Sequence, residues 1–88
     1  MPIFSISTLA YEIVEKNKEC REVGRSCPQS SLEGCARACQ NLSHVFVYEE
    51  KSHQGPSHNC YCEVEAFLTG KCNLKDAPGH NLYKYHGN

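Results

Sequence analysis

The sequence predicts a small α+β domain: an antiparallel sheet, one helix packed across it, and disulfides stapling the two. Three observations carry this. Residues 30–42 repeat their apolar positions at helical spacing, several other segments alternate at strand spacing, and seven cysteines stand among 88 residues. A chain this short buries only a modest share of its unfolded surface, so covalent cross-links are expected to supplement the core. A cysteine content of about 8% is close to that of disulfide scaffolds, which persist in oxidising compartments. The odd count leaves one thiol free or pairs it outside these residues.

The elements follow in chain order. "YEIVEK" joins β-branched and aromatic residues into a first strand, with Ile13 and Val14 on opposite sides. "SSLEGCARACQNL" is the helix. Ser30 followed by Glu33 has the form of a capping box, in which each side chain satisfies a backbone N–H at the helix start. Leu32, Cys35, Ala36, Cys39 and Leu42 or Ser43 then share the inward face, which puts both cysteines there, one turn apart. "HVFVYEE" is a second strand, followed by "KSHQGPSH", a connection punctuated by Gly55 and Pro56. In "NCYCEVE", Cys60, Cys62 and Val64 point one way, and Tyr61, Glu63 and Glu65 the other. "FLTGKCNLKDAPGH" reads as irregular, and "NLYKYH" closes the chain as a strand with Leu82 and Lys84 opposed to Tyr83 and Tyr85.

Two cysteines on one helix face and two on one strand face predict two bonds from Cys35 and Cys39 to Cys60 and Cys62, their register open. Among the remaining three, Cys27 is expected to pair with Cys72, leaving Cys20 as the free thiol. Zinc is the rival use of Cys35, Cys39, Cys60 and Cys62, with His44 or His58 nearby. Structural zinc pairs usually sit on turns that wrap the ion, whereas here one pair is in mid-helix and the other on a strand. No Cys-x-x-Cys redox motif is present.

"SSLEGCARACQNLSHVFVY", "NCYCEVE" and the closing "NLYKY" together resemble the PAN/apple domain family. Its pattern is Ser-x-x-x-Cys-x-x-x-Cys on a helix, an aromatic-rich strand, a Cys-bearing strand and a final Tyr-containing strand. The resemblance spans about Tyr11 to Tyr85 and is similar above all to apple repeats of apicomplexan micronemal adhesins, and also to the apple domains of plasma prekallikrein and coagulation factor XI. It departs from the family where Val45 stands near a usual cysteine position, and in having no cysteine before Cys20 or after Cys72 for the family's terminal bond. Residues 1–10 read as a linker or appended tail, and residues 11–86 as the domain.

The resemblance implies a noncatalytic extracellular adhesion module that binds a host-cell surface protein or glycan, with tandem neighbouring domains in a larger protein. It implies a secreted or cell-surface location, or the microneme in an apicomplexan parasite. A stand-alone secreted inhibitor or effector is the alternative. Nothing in the sequence adds a catalytic, metal or cofactor-binding residue. His53 and His58 flank a turn, Asp76 is the only Asp, and Glu49 and Glu50 read as facing water. Tyr48, Tyr61, Tyr83 and Tyr85 read as strand packing residues, and Asn41-Leu42-Ser43 is a formal glycosylation sequon. A net charge of −1, with Lys16, Lys18, Arg21 and Arg25 interleaved among Glu12, Glu15, Glu19 and Glu22, argues against nucleic acid and direct membrane insertion.

Overall fold

A computed structural model of the chain describes residues 9–21, 24–49, 59–64 and 72–86. It is a small compact α+β domain, a five-stranded antiparallel sheet with one helix packed on it. Its elements are β1 (Tyr11–Cys20), β2 (Arg25–Ser26), α1 (Leu32–Cys39), β3 (Val45–Glu49), β4 (Cys60–Cys62) and β5 (Leu74–Tyr85). Across the sheet the strands run β1-β5-β3-β4-β2. The first and last strands therefore lie side by side, with Tyr11 opposite Tyr85. No helix among the described residues is long and apolar enough to cross a membrane.

The helix begins one residue later than the capping box predicts. Ser31, in extended conformation, is the cap, and its Oγ accepts the Gly34 N–H at 3.0 Å. Glu33, in the first turn, has its carboxylate 3.6 Å from the Arg37 guanidinium, the ordinary i,i+4 arrangement. At the other end the Cys39 carbonyl accepts from both Leu42 and Ser43 N–H, and the Ser43 hydroxyl donates to the Val45 carbonyl, turning the chain directly into β3.

Alternation along β3 divides the core between two faces. Phe46 and Tyr48 pack with Cys60, Cys62 and Tyr83 beneath Cys35, Ala36 and Cys39 of the helix. Phe46 is fully buried; the Tyr83 ring stacks on it at 5.0 Å and the Tyr11 ring meets it edge-on at 5.6 Å. On the other face Val47 and Leu82 pack with Cys20, and Val45, Tyr61 and Cys72 border them.

The strand β5 reaches back to Leu74, through residues whose Pro78 and Gly79 give the sequence an irregular reading. A wide bulge reconciles the two. Pairing passes from Lys16 with Asn81 to Lys18 with Asp76, so Asn17 alone faces residues 77–80. Asn17 takes a left-handed conformation at φ 57°, tolerated by its short polar side chain, and Gly79 sits at φ 87°. Asn17 Oδ1 accepts the Gly79 N–H at 3.0 Å, and the Asn17 N–H donates to Asn81 Oδ1 at 3.1 Å. The bulge is thus closed by local hydrogen bonds, and beside it Lys18 pairs with Asp76.

Three disulfides form: Cys35–Cys60, Cys39–Cys62 and Cys20–Cys72. The first two run from helix to strand in parallel register. The third corrects the expectation for the remaining cysteines: Cys20, not Cys27, bonds to Cys72, and Cys27 is the free thiol. The cause is the pairing of β1 with β5. Cys20 sits opposite Leu74, which brings Cys72 to a Cα separation of 5.1 Å. Cys27 is held elsewhere, its N–H donating to the Cys60 carbonyl at 2.9 Å.

Candidate functional site

Among the described residues, the densest grouping of reactive side chains lies between α1 and β4. Helical spacing puts Cys35 and Cys39 one turn apart above the sheet, and strand spacing puts Cys60 and Cys62 on the face below them; all four are fully buried. A third element approaches from the side. Residues 25–29 run antiparallel to β4, with Arg25 opposite Cys62 and Ser26 opposite Tyr61. The Asn59 side chain fastens the end of this segment, donating to the Gln29 carbonyl and accepting the Gln29 N–H. At its start, Gly24 comes so close to β4 that a Cβ there would stand 2.5 Å from the Cys62 carbonyl oxygen.

This places the half-buried Cys27 with its Sγ 3.4 Å from Cys62 Sγ. Cys62 is oxidised, so only Cys27 carries a proton in this contact. Cys39 Sγ in turn lies 4.0 Å from Cys60 Sγ. Five sulfurs form an unbroken path, Cys27, Cys62, Cys39, Cys60 and Cys35, in which van der Waals contacts alternate with covalent bonds.

The ligand atoms of Cys35, Cys39 and Cys60 lie within 4.8 Å of one another, as metal-binding thiolates would. Each is committed to a disulfide, however, and a disulfide sulfur lacks the thiolate charge that zinc coordination uses.

The opposite face of the sheet holds a second polar group. Glu49 is buried, where the sequence suggests solvent, and its Oε1 lies 3.7 Å from His80 Nε2. The two residues are cross-strand partners of β3 and β5. Glu63, just beyond the end of β4, is buried as well. Burial raises the Tyr61 phenol above its ordinary value, and the negative fields of Glu19, Glu49 and Glu63 push in the same direction. Period-two alternation signals that these carboxylates point away from the helix; it carries no signal that this second face is also covered. Glu50, His53, His58 and Glu65 lie outside the described residues. Asn41 is exposed in the turn after α1.

Comparison of the chain with protein-family models, with curated proteins and with solved structures finds no match. Its disulfides suggest an extracellular or secreted domain.

Proposed function

We propose that this chain is a noncatalytic extracellular binding module of the PAN/apple kind, one unit of a larger protein that attaches to a host-cell surface protein or glycan. The observation that carries the reading is the double staple of Cys35–Cys60 and Cys39–Cys62. A helix bearing Cys-x-x-x-Cys is fixed to a Cys-bearing strand, and a closing strand bearing Tyr83 and Tyr85 runs through the same core, in the order of the motif the sequence resembles. The pairing of Tyr11 with Tyr85 supports the modular part of the reading, because it brings the sheet's entry and exit together, and the His86 N–H donates to the Ala10 carbonyl. Adjoining ends let a domain be inserted into a longer chain with little disturbance to either.

Recognition by this module rests on shape and mixed polarity rather than a cationic grip. Lys18 is neutralised by Asp76, and Lys16, the other basic residue of β1, stands beside Glu15, so their fields cancel beyond a Debye length of about 8 Å. The test presents the oxidised domain to a glycan array, to a panel of host-cell surface proteins and to immobilised heparin. Saturable binding to a protein or a neutral glycan, abolished by reduction, is expected, with heparin retention lost near physiological salt. Absence of saturable binding on every panel, or heparin retention well above physiological salt, would overturn the reading.

A further inference from the structure

The free thiol lies against one disulfide, and that disulfide against the next. We propose that Cys27 is the attacking thiol of an internal thiol–disulfide exchange, so that the domain interconverts between disulfide isomers without any outside oxidant or reductant. In the first step the Cys27 thiolate attacks Cys62 Sγ, 3.4 Å away. The Cys27–Cys62 bond forms as Cys39–Cys62 breaks, and the electron pair leaves on Cys39 Sγ, which takes up the proton that Cys27 gave to solvent. In the second, the Cys39 thiolate attacks Cys60 Sγ, 4.0 Å away. Cys39–Cys60 forms, Cys35–Cys60 breaks, and the thiol comes to rest on Cys35. The number of disulfides and the oxidation state stay constant throughout.

Each arrow on this path is a contact between a thiol-bearing residue and the sulfur it must reach, and access is one of the conditions that control exchange. The placement of Cys27 comes from the backbone, through the Cys27 N–H bond to Cys60 and the close approach of Gly24 to Cys62. The other bond, Cys20–Cys72, involves neither α1 nor β4, and joins sulfurs packed with Val47 and Leu82 on the far face of the sheet. It stands outside the path.

The structural effect is a change of tether. In the described isomer two bonds hold α1 to β4. After the first step one bond remains, and the freed link ties the segment of residues 25–29 to β4 instead. After the second step the helix is held through Cys39 to Cys60, one turn further along its own axis than before.

Non-reducing peptide mapping tests this on the intact oxidised chain. Samples incubated between pH 6 and pH 8.5 are quenched in acid, their thiols blocked with maleimide, and their linkages read by mass spectrometry. Label on Cys27 is expected at pH 6. At pH 8.5, label on Cys39 or Cys35 is expected together with a Cys27–Cys62 linked peptide, while Cys20–Cys72 stays intact. The rate should rise with pH, because the thiolate is the attacking species, and be independent of protein concentration. Cys27→Ser should keep Cys39–Cys62 at every pH. The proposal is overturned if label stays on Cys27 alone at pH 8.5. Loss of Cys20–Cys72 at the same rate would equally overturn it by showing unfolding and general scrambling, and a rate rising with protein concentration would do so by showing exchange between molecules.

Discussion

Tyr85, on the last strand, donates its hydroxyl hydrogen to the carbonyl oxygen of Ala36 in the helix. The bond spans 49 residues of sequence and joins sheet to helix independently of the disulfides. Tyr85→Phe keeps the ring against Phe46 and removes only this link. A loss of about 1 kcal/mol, read from the shift in urea midpoint with an unchanged slope, is expected.

The same hydroxyl makes stability fall at alkaline pH. Burial, and then the nearby Tyr11, raise the Tyr85 phenol well above its ordinary value, and Tyr61 is raised too. Above about pH 10 the unfolded chain ionises these phenols while the folded chain keeps its protons, so the unfolded state binds fewer protons and stability decreases with pH. Their contribution is complete below about pH 10 and is lost as pH rises towards the folded-state values. Urea midpoints between pH 9 and 11.5, measured on the Cys27→Ser background, should fall, and adding Tyr85→Phe should flatten the fall.

Ser31→Ala should cost about 1 kcal/mol by removing the oxygen that accepts the Gly34 N–H. Ser30→Ala should change the denaturant midpoint little. Equal losses at the two serines would place the helix start elsewhere.

Two glycines should fail for different reasons. At Gly24 an added methyl meets the Cys62 carbonyl, so Gly24→Ala should cost about 1–3 kcal/mol as strand β2 is forced away from β4. At Gly79 the methyl has room, with its nearest neighbour, Glu49 Oε2, at 3.4 Å, but the backbone stands at φ 87°. Gly79→Ala should therefore cost about 1–2 kcal/mol through conformational strain. Only Gly24→Ala should also raise the reactivity of Cys27 towards maleimide.

Replacing Cys20 and Cys72 together by Ser should be the most destabilising removal of a single bond. The bond spans 52 residues, against 25 and 23 for the helix staples. The entropy of the unfolded loop then amounts to about 4 kcal/mol, against about 3.5 for each staple. Thermal melts of the three pairwise replacements should rank accordingly.

What the sequence reveals depends on whether periodicity alone specifies a position. Helical spacing from Leu32 and strand spacing from Cys60 are local, and they suffice to put four cysteines on facing surfaces. The partner of Cys20 is not local: it follows from the register of β1 on β5, two strands far apart in sequence. Residues 74–80 are obscured for a related reason, since Pro78 and Gly79 signal a turn and only the single opposing Asn17 makes that turn a bulge within a strand. The two-residue β2 is too short to show any period. Glu49 alternates correctly away from Tyr48, yet its burial depends on what covers the second face, which alternation does not encode.

The pairing of Tyr11 with Tyr85 also sets how the domain would bear tension. A pull applied at Ala10 and His86 acts on neighbouring points, so β1 and β5 would part like a zipper, one hydrogen-bonded pair at a time, rather than shear along their whole length. Peeling runs towards Cys20 and stops at the covalent link to Cys72. Beyond that link the covalent load path passes from Cys20 to Cys72 through sulfur, and residues 21–71, helix and staples included, form a closed loop off that path, loaded only through the bonds that β5 makes to β3 and Tyr85 makes to Ala36. Under load the domain would behave as a short extensible spring with a fixed stop, its sulfur path off the covalent line of pull.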